Sequence, residues 1–524
     1  MKNIMKKFVS LVLVCLMVFS IIPVSYAAGE AENVTFTGPD GETFNHYPQI
    51  LVTGFGSGCV KIYYEDDPEQ KSLFWPFESE RFITNLGNVG NYVMGAVKEN
   101  NPDILHSVIY NYIMDCFGML ALNPDGTMME GVTTEPVGVR YTGDGKYDFY
   151  YDCRLSPLQI ANDLHDAIDQ VLAETGSEKV ELVGSSYGAN VVTAYMYLYE
   201  EELDKVDTVL QCVPSIGGIR FLGELFSGNF DINPIALCDF IDRLATNNLL
   251  PDFLYLLEEA GLLSIYLEIL VVPALREVLF EAVVDVGRDF LASLPAVWAC
   301  IPDEYFESAM IFLYGENYND PDHKYAQLIA QATDYHYNVA NKAAEIYTEA
   351  ENNHTGLNMA FITKFGIAAI PFGTAENIMD DGLVTVPVSS FGATCANYGE
   401  KLPTDYKQQK YTEYNFMCPE WNIDASTGAF PFTTWYIKGL EHTQKNTDYL
   451  RLVDEIIYKD IDVFSDETWP QYLKVSDEDT ERLVPVTTPQ EKEKTLYDKL
   501  FAIFRKIILL PKTIFDKTFG KVFK

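Results

Sequence analysis

Two rhythms of apolar residues run through this chain. Short, nearly uninterrupted apolar runs occupy 48–53, 180–183, 206–212, 360–370 and 433–437, bounded by glycine, proline or polar residues. Runs of that kind predict buried strands. Between them the spacing lengthens. Ile160, Leu164, Ile168 and Leu172 recur every four positions and predict a helix over 160–173. A second helix is predicted over 189–198, directly after the 180–183 strand. A long one is predicted over 323–349, carrying Tyr335, Tyr337 and Tyr347. Strand and helix alternating in this way predict an α/β fold with a mainly parallel sheet. From 216 to about 310 the texture changes. Segments 221–225, 235–244, 249–260 and 262–291 are rich in leucine, phenylalanine and valine at helical spacing. They predict a helical layer inserted into one α/β domain that runs from 28 to 490.

The two ends differ from this body. Lys2, Lys6 and Lys7 precede an uncharged apolar run at 8–22, and Pro23-Val24-Ser25-Tyr26-Ala27 offers a cleavage site after Ala27. Residues 1–27 therefore read as a secretory signal peptide, and the protein is expected outside the cell. Residues 491–524 form a basic, amphipathic tail in which Ile503, Phe504, Ile507 and Leu510 mix with Arg505, Lys506 and Lys512. Such a segment lies on an anionic membrane surface or docks on an acidic body, and it is too short and too charged to span a bilayer.

The chemistry centres on Gly184-Ser185-Ser186-Tyr187-Gly188, which sits between the predicted 180–183 strand and the 189–198 helix. A G-x-S-x-G in that setting is a nucleophile elbow: a sharp turn pushes the serine hydroxyl outward, and glycines on either side let strand and helix approach. Ser186 is the candidate nucleophile. The helix that follows points its positive end at the position where negative charge develops. Gly54-Phe55-Gly56-Ser57-Gly58 follows the 48–53 strand. An early glycine-rich loop supplies one oxyanion-hole amide and the residue after the nucleophile the other, which here gives Phe55 and Tyr187. The glycine run lacks the Lys-Ser/Thr ending of a nucleotide-binding loop.

A serine hydroxyl needs a base to take its proton, and the base needs a carboxylate to orient it. In elbow-bearing folds these follow in the order Ser, Asp/Glu, His. Seven histidines are present, and only His442, in a loop after the 433–437 run, falls late enough. The acid candidate lies in Asp380-Asp381-Gly382-Leu383-Val384. Asp381 fits the Asp-Gly-x-Val spacing, with adjacent Asp380 as its rival. No D-x-D-x-D-G calcium loop and no cysteine or histidine set with metal spacing occurs, so neither cofactor nor metal is called for.

Tyr151-Asp152-x-Arg154-Leu155-Ser156-Pro157, one helix and then the G-x-S-x-G resemble the lecithin:cholesterol acyltransferase family of α/β hydrolases. That family includes phospholipases and phospholipid:diacylglycerol acyltransferases. Ile50-Leu51-Val52-Thr53-Gly54-Phe55-Gly56 resembles its oxyanion strand and loop, and Ser293-Leu294-Pro295-Ala296-Val297-Trp298 resembles a segment of its cap. The likeness is patchy and spans about 46–445. It implies an α/β-hydrolase fold, a helical cap at about 216–310 and a lipid acyl ester as substrate. Two positions depart from the family. Cys153 stands where a tryptophan is usual, and Ser185 where a histidine is common.

Composition narrows the reading further. The formal net charge is −39, and both ends are basic, so the body between them is more acidic still. It repels nucleic acid, which is excluded as a partner. Apart from Cys15 in the signal, the cysteines are Cys59, Cys116, Cys153, Cys212, Cys238, Cys300, Cys395 and Cys418. An exported protein can oxidise them, yet most lie in apolar runs, and bridges and buried thiols are both open. The expectation is a secreted serine esterase of lipase or phospholipase type. Its alternatives are a lipid O-acyltransferase, a serine peptidase and a binding protein on an inactive hydrolase scaffold.

Overall fold

The computed structural model describes residues 36–73, 107–229 except 108, 109, 112 and 116, 231–244, 249–268, 284–371, 378–459 and 461–488. The expected signal peptide and basic tail lie outside the described residues, as does Cys116.

A nine-stranded sheet forms the centre. Its strands are β1 (Gln49–Val52), β2 (Gly138–Gly143), β3 (Lys146–Tyr150), β4 (Val180–Ser185), β5 (Val206–Cys212), β6 (Asn358–Phe365), β7 (Thr434–Lys438), β8 (Tyr472–Val475) and β9 (Leu483–Pro485). They lie side by side in the order β9-β8-β7-β6-β5-β4-β1-β3-β2. All neighbours pair in parallel except the two edges, where β2 runs against β3 and β9 against β8. The expected mainly parallel α/β architecture is what the chain adopts.

The burial of the central strands explains their sequence. Val180 to Gly184 are all buried, as are Met359 to Phe365. A parallel strand covered on both faces reads as an unbroken apolar run rather than an alternation. The faces are nonetheless distinct. Leu182 joins a core with Ile50, Phe149, Ile160, Leu164 and Val191, whereas its neighbour Val183 joins one with Leu210, Ile362, Trp435 and Leu452.

On the first face lie α1 (Pro157–Thr175) and α2 (Tyr187–Leu198). Helix α1 starts in a capping box, with Ser156 and Gln159 each satisfying an orphan amide of the first turn, and stops at Gly176 in the left-handed region. Its buried stripe is Ile160, Leu164, Ile168 and Val171. Between β5 and β6 the chain builds α3 (Arg220–Phe226), α4 (Pro234–Leu244), α5 (Leu249–Glu259), α6 (Asp303–Tyr314), α7 (Ala326–Asn338) and α8 (Ala343–Asn353). Helix α6 packs on α3, and α4 on α5. The last helix among the described residues, α9 (Thr447–Lys459), covers the second face through Leu452, Val453, Ile456 and Ile457.

The single helix expected over 323–349 is two. A 3₁₀ turn, Ala340–Lys342, separates α7 from α8. The buried stripe Tyr335, Val339, Ala343, Tyr347 repeats every four residues. In a straight helix that spacing rotates about 40° per step off the core. The break at Val339 redirects the chain, and both tyrosines end fully buried in the same cluster. Tyr337 points out and is 47% exposed.

The cysteines divide. Cys59 and Cys153 form a disulfide, with Cα atoms 5.2 Å apart, while Cys212, Cys238, Cys300, Cys395 and Cys418 are free thiols. The bridge ties the loop after β1 to the loop after β3. Among the described residues no helix is long and apolar enough to cross a membrane.

Candidate active site

The turn between β4 and α2 places Ser186 at φ 55° and ψ −123°, a left-handed conformation held by a non-glycine residue. Such a conformation costs on the order of 1–3 kcal/mol and persists only where its surroundings enforce it. Three glycines show how it is enforced. A Cβ on Gly188 would stand 1.9 Å from the Val52 carbonyl oxygen, and one on Gly184 would stand 2.9 Å from the Ala189 Cα. One on Gly54 would meet the Ser186 Cβ at 2.8 Å. Strand, turn and neighbouring loop pack backbone to backbone here. The Ser186 amide donates to the Cys212 carbonyl of β5 at 2.9 Å and pins the turn to the next strand.

His442 lies in the loop between β7 and α9. Its Nε2 is 2.7 Å from Ser186 Oγ, and its Nδ1 is 2.8 Å from Asp381 Oδ2. The backbone repeats the link, since the His442 amide donates to the Asp381 carbonyl at 2.9 Å. Asp381 follows β6 and is fully buried. Its other oxygen, Oδ1, accepts from the amides of Leu383 at 3.0 Å and Val384 at 2.8 Å. A carboxylate held by two amides through one oxygen presents the other in a fixed direction. The imidazole therefore has one nitrogen on the carboxylate and one on the serine, with the Nδ1–H donating to Asp381 and Nε2 accepting from Ser186.

The structure separates the two aspartates that the sequence left side by side. Asp380 is also buried, but its Oδ1 accepts from the Gly382 amide at 2.5 Å, and no bond joins it to His442 among the described residues. Burial first, and then the charge of Asp381, push the Asp380 carboxyl well above the ordinary range. Of the two side chains, Asp381 alone is bonded to the imidazole among the described residues.

Tyr187 is the first residue of α2, so its amide is one of the helix's unsatisfied N-terminal donors. Phe55 lies in the turn after β1, and the two rings meet edge to face with centroids 6.1 Å apart. The structure thus places both oxyanion candidates on the serine side of the sheet's carboxyl edge. The Tyr187 hydroxyl donates to the Leu155 carbonyl at 2.9 Å, and burial pushes that phenol far up. The Phe55 loop is stitched to β3. The amide of Val60 donates to the Tyr151 carbonyl, the amide of Tyr151 to the Gly58 carbonyl, and the Tyr151 hydroxyl to the Thr53 carbonyl at 2.6 Å. The Cys59–Cys153 disulfide closes the same junction.

The Tyr-Asp-x-Arg motif has a structural part in this junction. Asp152 accepts from Arg154 Nε at 2.9 Å and from its Nη2 at 2.7 Å, and both residues are buried. Two parallel bonds of that kind suit a guanidinium and satisfy a buried charge pair.

Two links were not visible in the sequence. The disulfide joins residues 94 positions apart, and spacing alone could not pair them. Arg243 on α4 pairs with Glu441, the neighbour of His442, at 2.8 Å. For metals, the ligating atoms of His165, Asp169 and Glu202 lie within 4.8 Å of one another. Lys205 Nζ already bonds Asp169 at 2.7 Å and Glu202 at 2.6 Å, so an ammonium stands where a cation would.

A turn of this kind between a parallel strand and a helix, with serine, histidine and aspartate in that arrangement, defines an α/β-hydrolase fold. No protein-family model matches the chain, and no curated protein matches it. Among solved structures, the crystal structure of the Tle4-Tli4 complex is similar over 61% of this chain and 75% of that chain, at 10% identity and a TM-score of 0.27. A likeness at that level assigns no activity.

Proposed function

We propose that this protein is a serine esterase that cleaves lipid acyl esters through an acyl-enzyme. The observation that carries the proposal is His442, bonded at 2.7 Å to Ser186 Oγ and at 2.8 Å to Asp381. Ser186 Oγ attacks the ester carbonyl carbon while His442 Nε2 takes the hydroxyl proton. The charge that develops on the carbonyl oxygen meets the amides of Phe55 and Tyr187. Each such donor lowers the barrier by about 3 kcal/mol. Asp381 holds the ring and balances the imidazolium. His442 then gives its proton to the leaving alcohol, and water, activated by the same nitrogen, releases the acid.

The lipid assignment rests on the family resemblance and on the apolar surface of the inserted helices. Ile235, Leu250, Phe253, Leu262, Ile265 and Tyr266 are each 46% exposed or more. Export is supported by the Cys59–Cys153 disulfide, since such bonds persist in oxidising compartments. The test is turnover of nitrophenyl esters of rising acyl length by the protein and by Ser186→Ala, with and without phospholipid vesicles. Serine-dependent rates that rise with chain length or with vesicles are expected. Equal rates for the two proteins would remove the mechanism. Turnover confined to short esters would remove the lipid assignment alone.

A further inference from the structure

Lys364 lies in the middle of the sheet, on β6, and is 1% exposed. A lysine so placed is uncommon, because its ammonium must be taken out of water. Its Nζ donates to three backbone carbonyls, those of Glu441 at 3.1 Å, His442 at 2.9 Å and Gln444 at 2.5 Å. All three belong to the loop that carries His442. An ammonium has three donors and no acceptor, so donors and carbonyls match one for one. The ring of Tyr449, at the start of α9, lies 4.8 Å from the same nitrogen.

We infer that Lys364 is a positioning residue, whose ammonium gathers the carbonyls of residues 441, 442 and 444 and so holds His442 between Ser186 and Asp381. The inference rests on the reading of those three residues as the reacting group. Without Lys364 the loop keeps the Gly439 amide on the Phe365 carbonyl, the His442 amide on the Asp381 carbonyl, Glu441 on Arg243 and the Asn446 side chain on the Thr480 carbonyl. Among the described residues none of those engages the carbonyls of His442 and Gln444, which Lys364 alone gathers. Lys364 acts from beneath and touches neither substrate nor reacting atom.

The groups that face Lys364 tune it. Burial is the largest influence and lowers the ammonium to about 7. Asp381 on the acid loop, Cys212 at the end of β5 and Glu441 on the base loop favour the charged form, and Lys445 opposes it. Loss of the proton leaves two donors and a lone pair, so one of the three carbonyls loses its bond. The loop's hold on His442 is expected to slacken as pH rises through about 7.

Lys364→Met keeps the length and removes every donor. Lys364→Gln keeps two. Nitrophenyl-ester kinetics, circular dichroism and the far-downfield proton resonance of the His442–Asp381 hydrogen bond would be measured on wild type, both variants and Ser186→Ala. The expected result is a graded loss of kcat, ~100-fold for methionine as for a catalytic group displaced by about 1 Å, and less for glutamine. KM stays within twofold, and the resonance is weakened or shifted in the same order. The change of the resonance with pH is expected to differ between wild type and Lys364→Met. Folded variants with wild-type kcat and an unmoved resonance would overturn the inference. If methionine prevents folding, the glutamine variant decides. If wild type and Ser186→Ala turn over esters alike, the esterase reading fails, and the resonance alone still tests what Lys364 does to the loop.

Discussion

Ser186 Oγ and His442 Nε2 are 256 residues apart in the chain and 2.7 Å apart in space. The distance is set by backbone, not by side-chain reach. Ser186 is held to β5 through its amide, and His442 is held to Asp381 through its own. A site organised in this way responds sharply to removal of its side chains and to loss of the bonds that hold its backbone.

Removal of Ser186 or His442 by alanine is therefore expected to abolish ester turnover, with losses on the order of 10⁶ in kcat where the chemical step limits. Asp381→Asn should lose about 10⁴, since the amide no longer fixes the tautomer. Asp380→Asn should stay within about threefold, because burial already disfavours the charge of that carboxyl, it makes no bond to His442 among the described residues, and an amide oxygen still accepts from Gly382. Steady-state kinetics on the four variants would check this. A large loss at 380 with a small one at 381 would reverse the assignment of the acid.

Gly188→Ala is expected to damage the fold rather than the chemistry. Its Cβ would stand 1.9 Å from the Val52 carbonyl oxygen, which belongs to the neighbouring strand and cannot rotate away. A loss of about 3 kcal/mol is the scale for overpacking a rigid site. Urea denaturation would read it, and a variant as stable as wild type would mean that β1 and α2 are less tightly joined.

Replacing both Cys59 and Cys153 by serine opens a loop closed across 94 residues. Loop-closure entropy puts the cost at about 4.7 kcal/mol. The bridge also closes the junction that carries Phe55, so kcat should fall further than stability alone explains. The comparison is of kcat at a temperature where both proteins are fully folded by circular dichroism. Unchanged kcat there would leave the bridge a purely stabilising role.

Glu181 gives a pH signature to stability. It is buried in β4, and burial, followed by the charge of Asp207, raises its carboxyl well above the ordinary value. A raised carboxyl favours the fold fully below its unfolded pKa. The contribution is lost as pH rises from there through the folded pKa, because the unfolded chain ionises first. Wild-type stability should therefore fall with pH across that window, and Glu181→Gln should flatten the fall. Thermal melts at a series of pH values would show the difference in slope.

The parts of the fold that were legible in the sequence share one property: their physics is local. The β4 run, the α1 stripe and the turn at Gly184-x-Ser186-x-Gly188 are each set by residues within about twenty positions. Chain order then singled out His442 among the histidines. What was hidden depends on distant packing. Lys364 sits in a run that reads as an apolar strand, and nothing nearby announces the three carbonyls it meets. Asp380 and Asp381 differ only in which one faces the imidazole. The break between α7 and α8 follows from the core to which both must turn, not from any helix-breaking residue between them.

The pair between Arg243 and Glu441 joins a helix of the insertion to the residue beside His442, and Arg243 also overhangs the acid loop, where a Cβ on Gly382 would meet its guanidinium at 3.2 Å. The insertion and the reacting residues are thus not separable modules. Any chimera that exchanges 213–357 for a foreign stretch inherits an orphaned Glu441 at the base's shoulder, and its loss of rate would be misread as altered substrate choice. Transplants of this segment call for a matched partner at position 441, and the same coupling gives selection a way to retune the base by mutating a helix that never touches it.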